Sequence, residues 1–230
     1  MKDKNKNLTS SEKLAAKTEG FFARNYRLLI IILVLIAVAC VGIWIGSVIA
    51  GNSASSRADA VYQLESDYNA LLLMDVNSSD YTTAASQFVS DAEAILADAG
   101  ASGDYASLKT NYLLGLYYAF AEDWATALSY FQTVATDGQG TYFGSLALAN
   151  AAACAENNGD QNLALQYYNQ IWDDYGTEAP ESPKALFNAA RIYEQTGDTE
   201  LATATYNQLV DQFTSSEYSQ LASARLIVLE

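Results

Sequence analysis

Carboxylates are the most frequent groups with potential chemistry in this chain of 230 residues, which contains 27 Asp and Glu residues and no histidine. Adjacent acids such as Asp173 and Asp174 could bind a cation, but neither they nor Glu178 and Glu181 have the spacing of a calcium loop. Without histidine the chain lacks the usual general base and the usual metal ligand. Residues 137–140, DGQG, are followed by no lysine and do not form a phosphate loop. From the sequence we therefore expect that the protein is not an enzyme and that it has no catalytic residues, no metal site and no cofactor.

The two cysteines, Cys40 and Cys154, are the other groups with potential reactivity, and they form no Cys-x-x-Cys motif. Cys40 lies in a long apolar run, whereas Cys154 lies among alanines. We therefore do not expect the two thiols to pair, and for Cys154 we expect the role of a small buried apolar side chain.

The charges are divided unevenly along the chain. Residues 1–27 contain seven basic and three acidic residues, and residues 28–56 contain no charged residue. Residues 57–230 contain five basic and 24 acidic residues, a net charge of −19. An acidic body of this size repels phosphate groups, so we expect no nucleic-acid partner and no binding of the body to anionic lipid.

Residues 28–50, LLIIILVLIAVACVGIWIGSVIA, form an uncharged apolar run. As a helix this run would be about 35 Å long, enough to cross a hydrocarbon core of about 30 Å. Because basic residues precede the run and only Arg57 follows it closely, the N-terminus is predicted to be cytoplasmic and the C-terminal body extracytoplasmic. The run is too long for a cleaved signal peptide, and it stays apolar after Cys40, which argues against a lipoprotein signal.

Two features of the N-terminal region leave alternatives open. Gly42, Gly46 and Ala50 stand at four-residue steps, a spacing that permits close packing of membrane helices and hence self-association, although glycine is also simply frequent in such helices. Residues 9–27 could form an interfacial helix on the inner leaflet, or the whole of residues 1–27 could be a basic tail that only sets the topology.

After a spacer at residues 51–56, the pattern is helical to the C-terminus, and one phrase recurs. A small residue is followed four positions later by an aromatic one, with intervals of 37 and 38 residues between the copies. The dipeptides Gly159–Asp160 and Gly197–Asp198 predict tight turns between the two helices of a hairpin. The three copies of the phrase are Ala127/Phe131, Ala164/Tyr168 and Ala202/Tyr206.

This recurrence resembles the tetratricopeptide repeat, whose pattern places small residues in the first helix and an Ala-x3-aromatic step in the second. The resemblance implies an all-α fold, a right-handed superhelical solenoid of about four hairpins over residues 57–230, with residues 56–97 as a degenerate first unit. The final stretch SEYSQLASARLIVLE would be a capping helix. The matching positions are Leu114, Gly115 and Tyr118 in the second unit, Ala151, Ala152 and Ala155 in the third, and Ala189, Ala190 and Tyr193 in the fourth.

The same resemblance implies a concave groove lined by the first helix of each hairpin, which would bind a protein partner. An alternative is that some of these side chains pack between hairpins. The predicted groove residues are Tyr112, Leu116, Asn150, Ala153, Lys184, Asn188 and Arg191.

The layout of a basic tail containing EGFFARNYR, one membrane helix, SRADAVYQLESDYNALL and acidic repeats resembles the bacterial ancillary SecYEG translocon subunits of the YfgM type. That resemblance implies an inner-membrane protein with a single span and a periplasmic scaffold domain. Its partners would be the SecYEG channel and periplasmic chaperones. The segment DQFTSSEYSQLASARL also resembles periplasmic tetratricopeptide coordinator proteins of envelope assembly and the Tol-Pal system, which is the alternative.

Overall fold

The computed structural model describes residue 36, residues 39–43, residues 55–98 and residues 103–229. The chain divides into two compact units, Met1–Ser55 and Ser56–Glu230. In the first unit the described residues are helical and exposed, and an added Cβ at Gly42 would meet no atom within 4 Å. Among the described residues, no helix combines the length and the apolar character needed to span a bilayer. Most of the predicted transmembrane helix at 28–50, including Gly46 and Ala50, lies outside the described residues, as does the tail at 1–27.

The second unit is built from helices in antiparallel pairs, and its described residues contain no strand. The first helices of the pairs are α1 (residues 55–71), α3 (Tyr105–Phe120), α5 (Tyr142–Asn157) and α7 (Ser182–Thr196). The second helices are α2 (Ser79–Asp98), α4 (Trp124–Asp137), α6 (Gln161–Tyr175) and α8 (Thr199–Gln212). A further helix, α9 (Glu217–Leu229), packs on α8 and α7. From α2 onward each helix contacts the next along the chain, and α1 shares a core cluster with α2, so the hairpins stack in sequence order.

The hydrophobic core follows the stack as a row of clusters, and each of the last three hairpins places one buried aromatic ring in it. Phe131, Tyr168 and Tyr206 have exposed fractions of 0%, 4% and 1%. Each ring lies on the second helix of its hairpin and packs against small residues of the first, which for Phe131 is Gly115. The predicted Ala-x3-aromatic recurrence is therefore the repeating core contact of an all-helical solenoid.

The closest of these contacts is at Gly115 of α3. A Cβ built on this glycine would lie 2.7 Å from the Phe131 ring, inside van der Waals contact. The equivalent residues, Ala152 and Ala190, have a methyl group and lie in the core clusters of Tyr168 and Tyr206. The second hairpin thus brings its two helices closer together than a methyl group allows.

Substitution of Gly115 by alanine tests this close approach. Alanine would gain up to about 1 kcal/mol of helix propensity, but overpacking a buried ring costs about 1–3 kcal/mol. We expect Gly115→Ala to lower the thermal unfolding midpoint, measured by far-ultraviolet circular dichroism. As a control, Ala153→Gly changes an exposed helical position and should cost only about 1 kcal/mol of propensity. An unchanged or raised midpoint for Gly115→Ala would contradict the contact.

The turns inside the hairpins share one backbone conformation. Gly159 and Gly197 have positive φ angles of 82° and 87°, and the following aspartate amide donates to the carbonyl five residues earlier, at 2.8 Å in both turns. In the second hairpin the same position is occupied by Glu122, with φ 58°, and Asp123 donates in the same way at 2.9 Å. A glutamate therefore adopts the left-handed conformation that glycine takes in the other two turns.

Because a side chain in the left-handed region costs about 1–2 kcal/mol, we expect Glu122→Gly to stabilise the protein by about 1 kcal/mol after the entropy cost of glycine. The reverse change, Gly159→Ala, should destabilise by a similar amount, since an added Cβ there meets no atom within 4 Å and only the backbone is strained. Ala121→Gly is the matched control, because Ala121 has φ −79° and glycine brings no relief there. Thermal midpoints of the three variants provide the measurement, and a destabilised Glu122→Gly would contradict the argument.

Candidate protein-binding surface

The seven predicted groove residues all lie on the first helices α3, α5 and α7, but they differ in exposure. Ala153 and Lys184 are exposed, whereas the other five are half-buried. We call the exposed and half-buried surface of these three helices the first-helix face. No ligand tests the binding role of these residues, which stays a prediction.

Tyr112 shows how the half-buried members are engaged. Its ring lies 5.6 Å from the Phe131 ring and 6.1 Å from the Phe143 ring, and its hydroxyl accepts a hydrogen bond from Asn150 at 3.2 Å. Burial raises the pKa of Tyr112 to about 12. Asn188, which occupies the position of Asn150 in the next hairpin, lies near the hydroxyl of Tyr168. These side chains therefore hold adjacent hairpins together as well as lining the face.

Arg191 has a structural partner that the sequence did not reveal. Its guanidinium donates a hydrogen bond to Glu156 at 2.5 Å. The same carboxylate accepts a hydrogen bond from the hydroxyl of Tyr168 at 2.7 Å. Burial, with the hydrogen bond to Glu156, raises the pKa of Tyr168 well above its ordinary range. Tyr168 and Glu156 belong to one hairpin and Arg191 to the next, so the three side chains form a tie between hairpins.

The tie is repeated at the next seam. Tyr206 donates to Glu194 at 3.2 Å, and Glu194 also accepts from Arg225 of α9, with Nε at 3.2 Å and a second, shorter bond from the guanidinium. Burial raises the pKa of Tyr206 to about 12. Tyr168 and Tyr206, like Glu156 and Glu194, are 38 residues apart. That recurrence is the signal in the sequence that could have revealed the tie.

The basic residues of the body are concentrated on this side of the stack. At the first seam Lys109 of α3 contacts Glu65 of α1 at 2.6 Å, and Arg57 contacts Asp104 at 3.3 Å. Four of the five basic residues of 57–230 thus form ion pairs that join neighbouring first helices, their caps or α9, and the fifth, Lys184, is exposed near the start of α7. The second helices α2, α4, α6 and α8 contain nine carboxylates and no basic residue. The first-helix face is consequently close to neutral, while the opposite layer is strongly acidic.

A cavity of about 260 Å³ opens on this face between α7, α8 and α9. The rings of Phe187 and Tyr206 line it together with the charged groups of the second tie. The full lining is Phe187, Arg191, Glu194, Gln195, Tyr206 and Arg225. Two aromatic rings beside paired charges suit a peptide side chain better than a free anion, because each guanidinium already has a carboxylate partner.

Two sequence-based expectations, on metal ligands and on Cys154, can be compared with the described part of the chain. Among those residues no three Cys, Asp or Glu side chains cluster in a way that could hold a metal ion. Cys154 is buried, and burial raises the pKa of its thiol to about 11. Such a thiol stays protonated at neutral pH and packs as an apolar group.

Comparison with known proteins agrees with this architecture. Residues 184–216, which include α8 and most of α7, match the tetratricopeptide repeat family. The fold is TPR-like. A solved structure of a putative kinesin light chain of Podosopora anserina with nearly identical TPR-like repeats superimposes with a TM-score of 0.54 at 14% sequence identity, covering 74% of this chain and 85% of that chain. That structure is of a variant with one substitution, and a second structure under the same description gives the same score over 86% of its length. No curated protein matches the chain.

The ion pair between Glu194 and Arg225 makes the stability of the folded chain depend on pH in the acidic range. The hydrogen bond from Arg225 holds the pKa of Glu194 below its ordinary value of 4.5. The unfolded chain therefore takes up this proton at a higher pH than the folded chain. The stabilising contribution is present above pH 4.5 and is lost as the pH falls through the lower folded-state pKa.

We expect Glu194→Gln to lower the thermal midpoint at neutral pH and to flatten its fall below about pH 4.5 relative to the unmodified chain. Asp211→Asn removes one charge from an exposed position of α8 and is the matched control. If the control flattens the profile equally, total charge rather than this pair governs the acid response.

Proposed function

We propose that this protein is a membrane-anchored scaffold that binds a protein partner on its first-helix face, close to the protein-export channel and its extracytoplasmic chaperones. The observation that carries the scaffold role is a continuous face built by three successive hairpins and locked by side-chain ties between them. Stacks of helical repeats use such faces as extended binding surfaces. A TPR-like fold is of the non-catalytic interaction type.

The distribution of charge supports binding on this face rather than on the second helices. Most of the basic residues form ion pairs between first helices, so this face has no large excess of positive or negative charge. A partner can therefore dock there through apolar and neutral polar contacts, as at Ala153, the Tyr112–Asn150 pair and the cavity beside Phe187. The only charged groups of the second helices are carboxylates, and these keep that layer solvated.

The membrane anchor and the location in the bacterial inner membrane rest on the apolar run at 28–50 and the excess of basic residues before it. In this proposal residues 57–230 are periplasmic. The link to the SecYEG channel and to periplasmic chaperones rests on the resemblance in layout of the N-terminal region.

A second candidate function is coordination of envelope assembly, as in tetratricopeptide proteins that work with the Tol-Pal system. One observation favours it. The hairpin that matches the repeat family, at 184–216, overlaps the beginning of the segment that resembles those coordinators. In that case the same face would bind an envelope protein, and Gly42 and Gly46 would support self-association.

Site-specific photo-crosslinking in native membranes tests both candidates. The structure favours Ala153 as the position for the crosslinker, because it is exposed, and Lys184 as a second position near the start of α7. Replacing Tyr112 would also remove contacts between hairpins. We expect adducts with a channel subunit or a periplasmic chaperone from both positions. Glu200, which is exposed on α8, is the matched control and should yield none.

The identity of the adduct decides between the candidates. Adducts with envelope-assembly proteins would support the second function and contradict the first. Adducts obtained from Glu200 alone would show that the partner binds the second helices, and the first-helix face would then have to be abandoned.

A further inference from the structure

The last helix, α9, occupies the place of a first helix in the stack. Arg225 contacts Glu194 as Arg191 contacts Glu156, and the two arginines are 34 residues apart. The buried residues Ala185 and Ile192 of α7 pack on the preceding hairpin. With the offset of 34 residues, they correspond to Ser219 and Leu226 of α9.

The opposite side of α7 packs against its own second helix, α8. Phe187 lies 5.7 Å from the Tyr206 ring, and Ala190 and Tyr193 belong to the same cluster. The corresponding residues of α9 are Leu221, Ala224 and Ile227. Among the described residues, no helix follows α9 to cover them, and Leu221 and Ile227 are 50% and 75% exposed.

This uncovered side of α9 is apolar in its C-terminal half, after the exposed Glu217 and Gln220 of the first turn. Leu221, Ala224 and Ile227 follow at three-residue steps, and Val228 beside them is 69% exposed. A terminal helix that only caps a solenoid has a polar outer face, because that face meets water. The outer face of α9 instead has the small and large apolar residues that α7 uses to receive α8.

The order of these residues identifies the occupant. A small residue stands at the centre, with one large apolar residue three positions before it and another three positions after it. Two such helices, packed antiparallel about a two-fold axis at Ala224, place Leu221 of each copy against Ile227 of the other and let the backbones approach at the alanines. The stripe is therefore complementary to itself.

We propose that α9 pairs with α9 of a second copy of this chain, so that the two solenoids join end to end. The pairing continues the seam that α7 and α8 form within one chain. The stripe itself is uncharged, so no like charges face each other where the two copies pair. This inference does not depend on the partner proposed for the first-helix face.

Disulfide crosslinking of the full chain tests the pairing. The background carries Cys40→Ser, because Cys40 is exposed, and keeps the buried Cys154. We expect Ala224→Cys to form a crosslinked dimer under mild oxidation. Ala153→Cys, which replaces an exposed alanine of α5, is the matched control and should remain monomeric. Absence of the Ala224→Cys dimer, or equal crosslinking of the control, would overturn the proposal.

Mixing two variants tests the antiparallel arrangement. Leu221→Cys mixed with Ile227→Cys should yield a crosslinked heterodimer, and neither variant should crosslink efficiently alone. Efficient crosslinking of Leu221→Cys with itself would indicate a parallel pair and would overturn the two-fold axis at Ala224. Crosslinking of Ala224→Cys in cells to a polypeptide of another mass would show that a partner helix, and not a second copy, covers α9.

The salt dependence provides an independent test by sedimentation of the full chain in detergent. Salt screens the repulsion between two acidic bodies and strengthens apolar contacts, so the dimer fraction should rise with ionic strength. Ala224→Arg places two like charges at the axis and should abolish the dimer without lowering the thermal midpoint, because the position is exposed. A dimer that weakens in salt or survives Ala224→Arg would contradict the proposal.

Discussion

The contact between an aromatic ring on a second helix and a small residue on the first helix is the constraint on which the rest of this structure depends. A hairpin of two short helices buries little apolar surface alone, so its stability depends on filling the space between the helices and on covering the outer side with the next hairpin. Phe131, Tyr168 and Tyr206 fill that space and are almost fully buried. Gly115, Ala152 and Ala190 make room for them, and this pairing sets the distance between the helices at each repeat.

A second layer of interactions fixes each hairpin to its neighbour. Tyrosine hydroxyls emerge from the core at Tyr168 and Tyr206, and each meets a glutamate that also binds an arginine of the following unit. The phenol is thus part of the core through its ring and part of the tie through its hydroxyl. In the second hairpin Phe131 has no hydroxyl and Ala119 occupies the glutamate position, and there neutral hydrogen bonds, such as that of Asn150 to Tyr112, join the hairpin to the next one.

These ties also explain how so acidic a body presents a nearly neutral face. Its few basic residues are placed only on first helices and on α9, where each ion pair joins two units. The carboxylates that remain are mostly on second helices and in turns, such as Asp123, Asp160 and Asp198, which precede helices, where negative charge is favourable. Structural stability and the suitability of the first-helix face for a protein partner therefore arise from the same arrangement of charge.

The sequence by itself determined the helical repeat, because small residues and aromatics four positions apart lie on one face of a helix and recur at constant intervals. It also determined the turns at Gly159 and Gly197, since glycine marks the left-handed position. It did not reveal the same turn at Glu122, where an exposed glutamate adopts that conformation and Asp123 closes the turn on Tyr118. The recurrence of Tyr and Glu at 38 residues is a sequence signal for the ties, but the pairing of Arg191 with Glu156 and the uncovered stripe of α9 were decided by the tertiary structure. Both depend on which residues of neighbouring hairpins meet across a seam. The stacking of the helices decides which residues meet, and no local pattern of the sequence does.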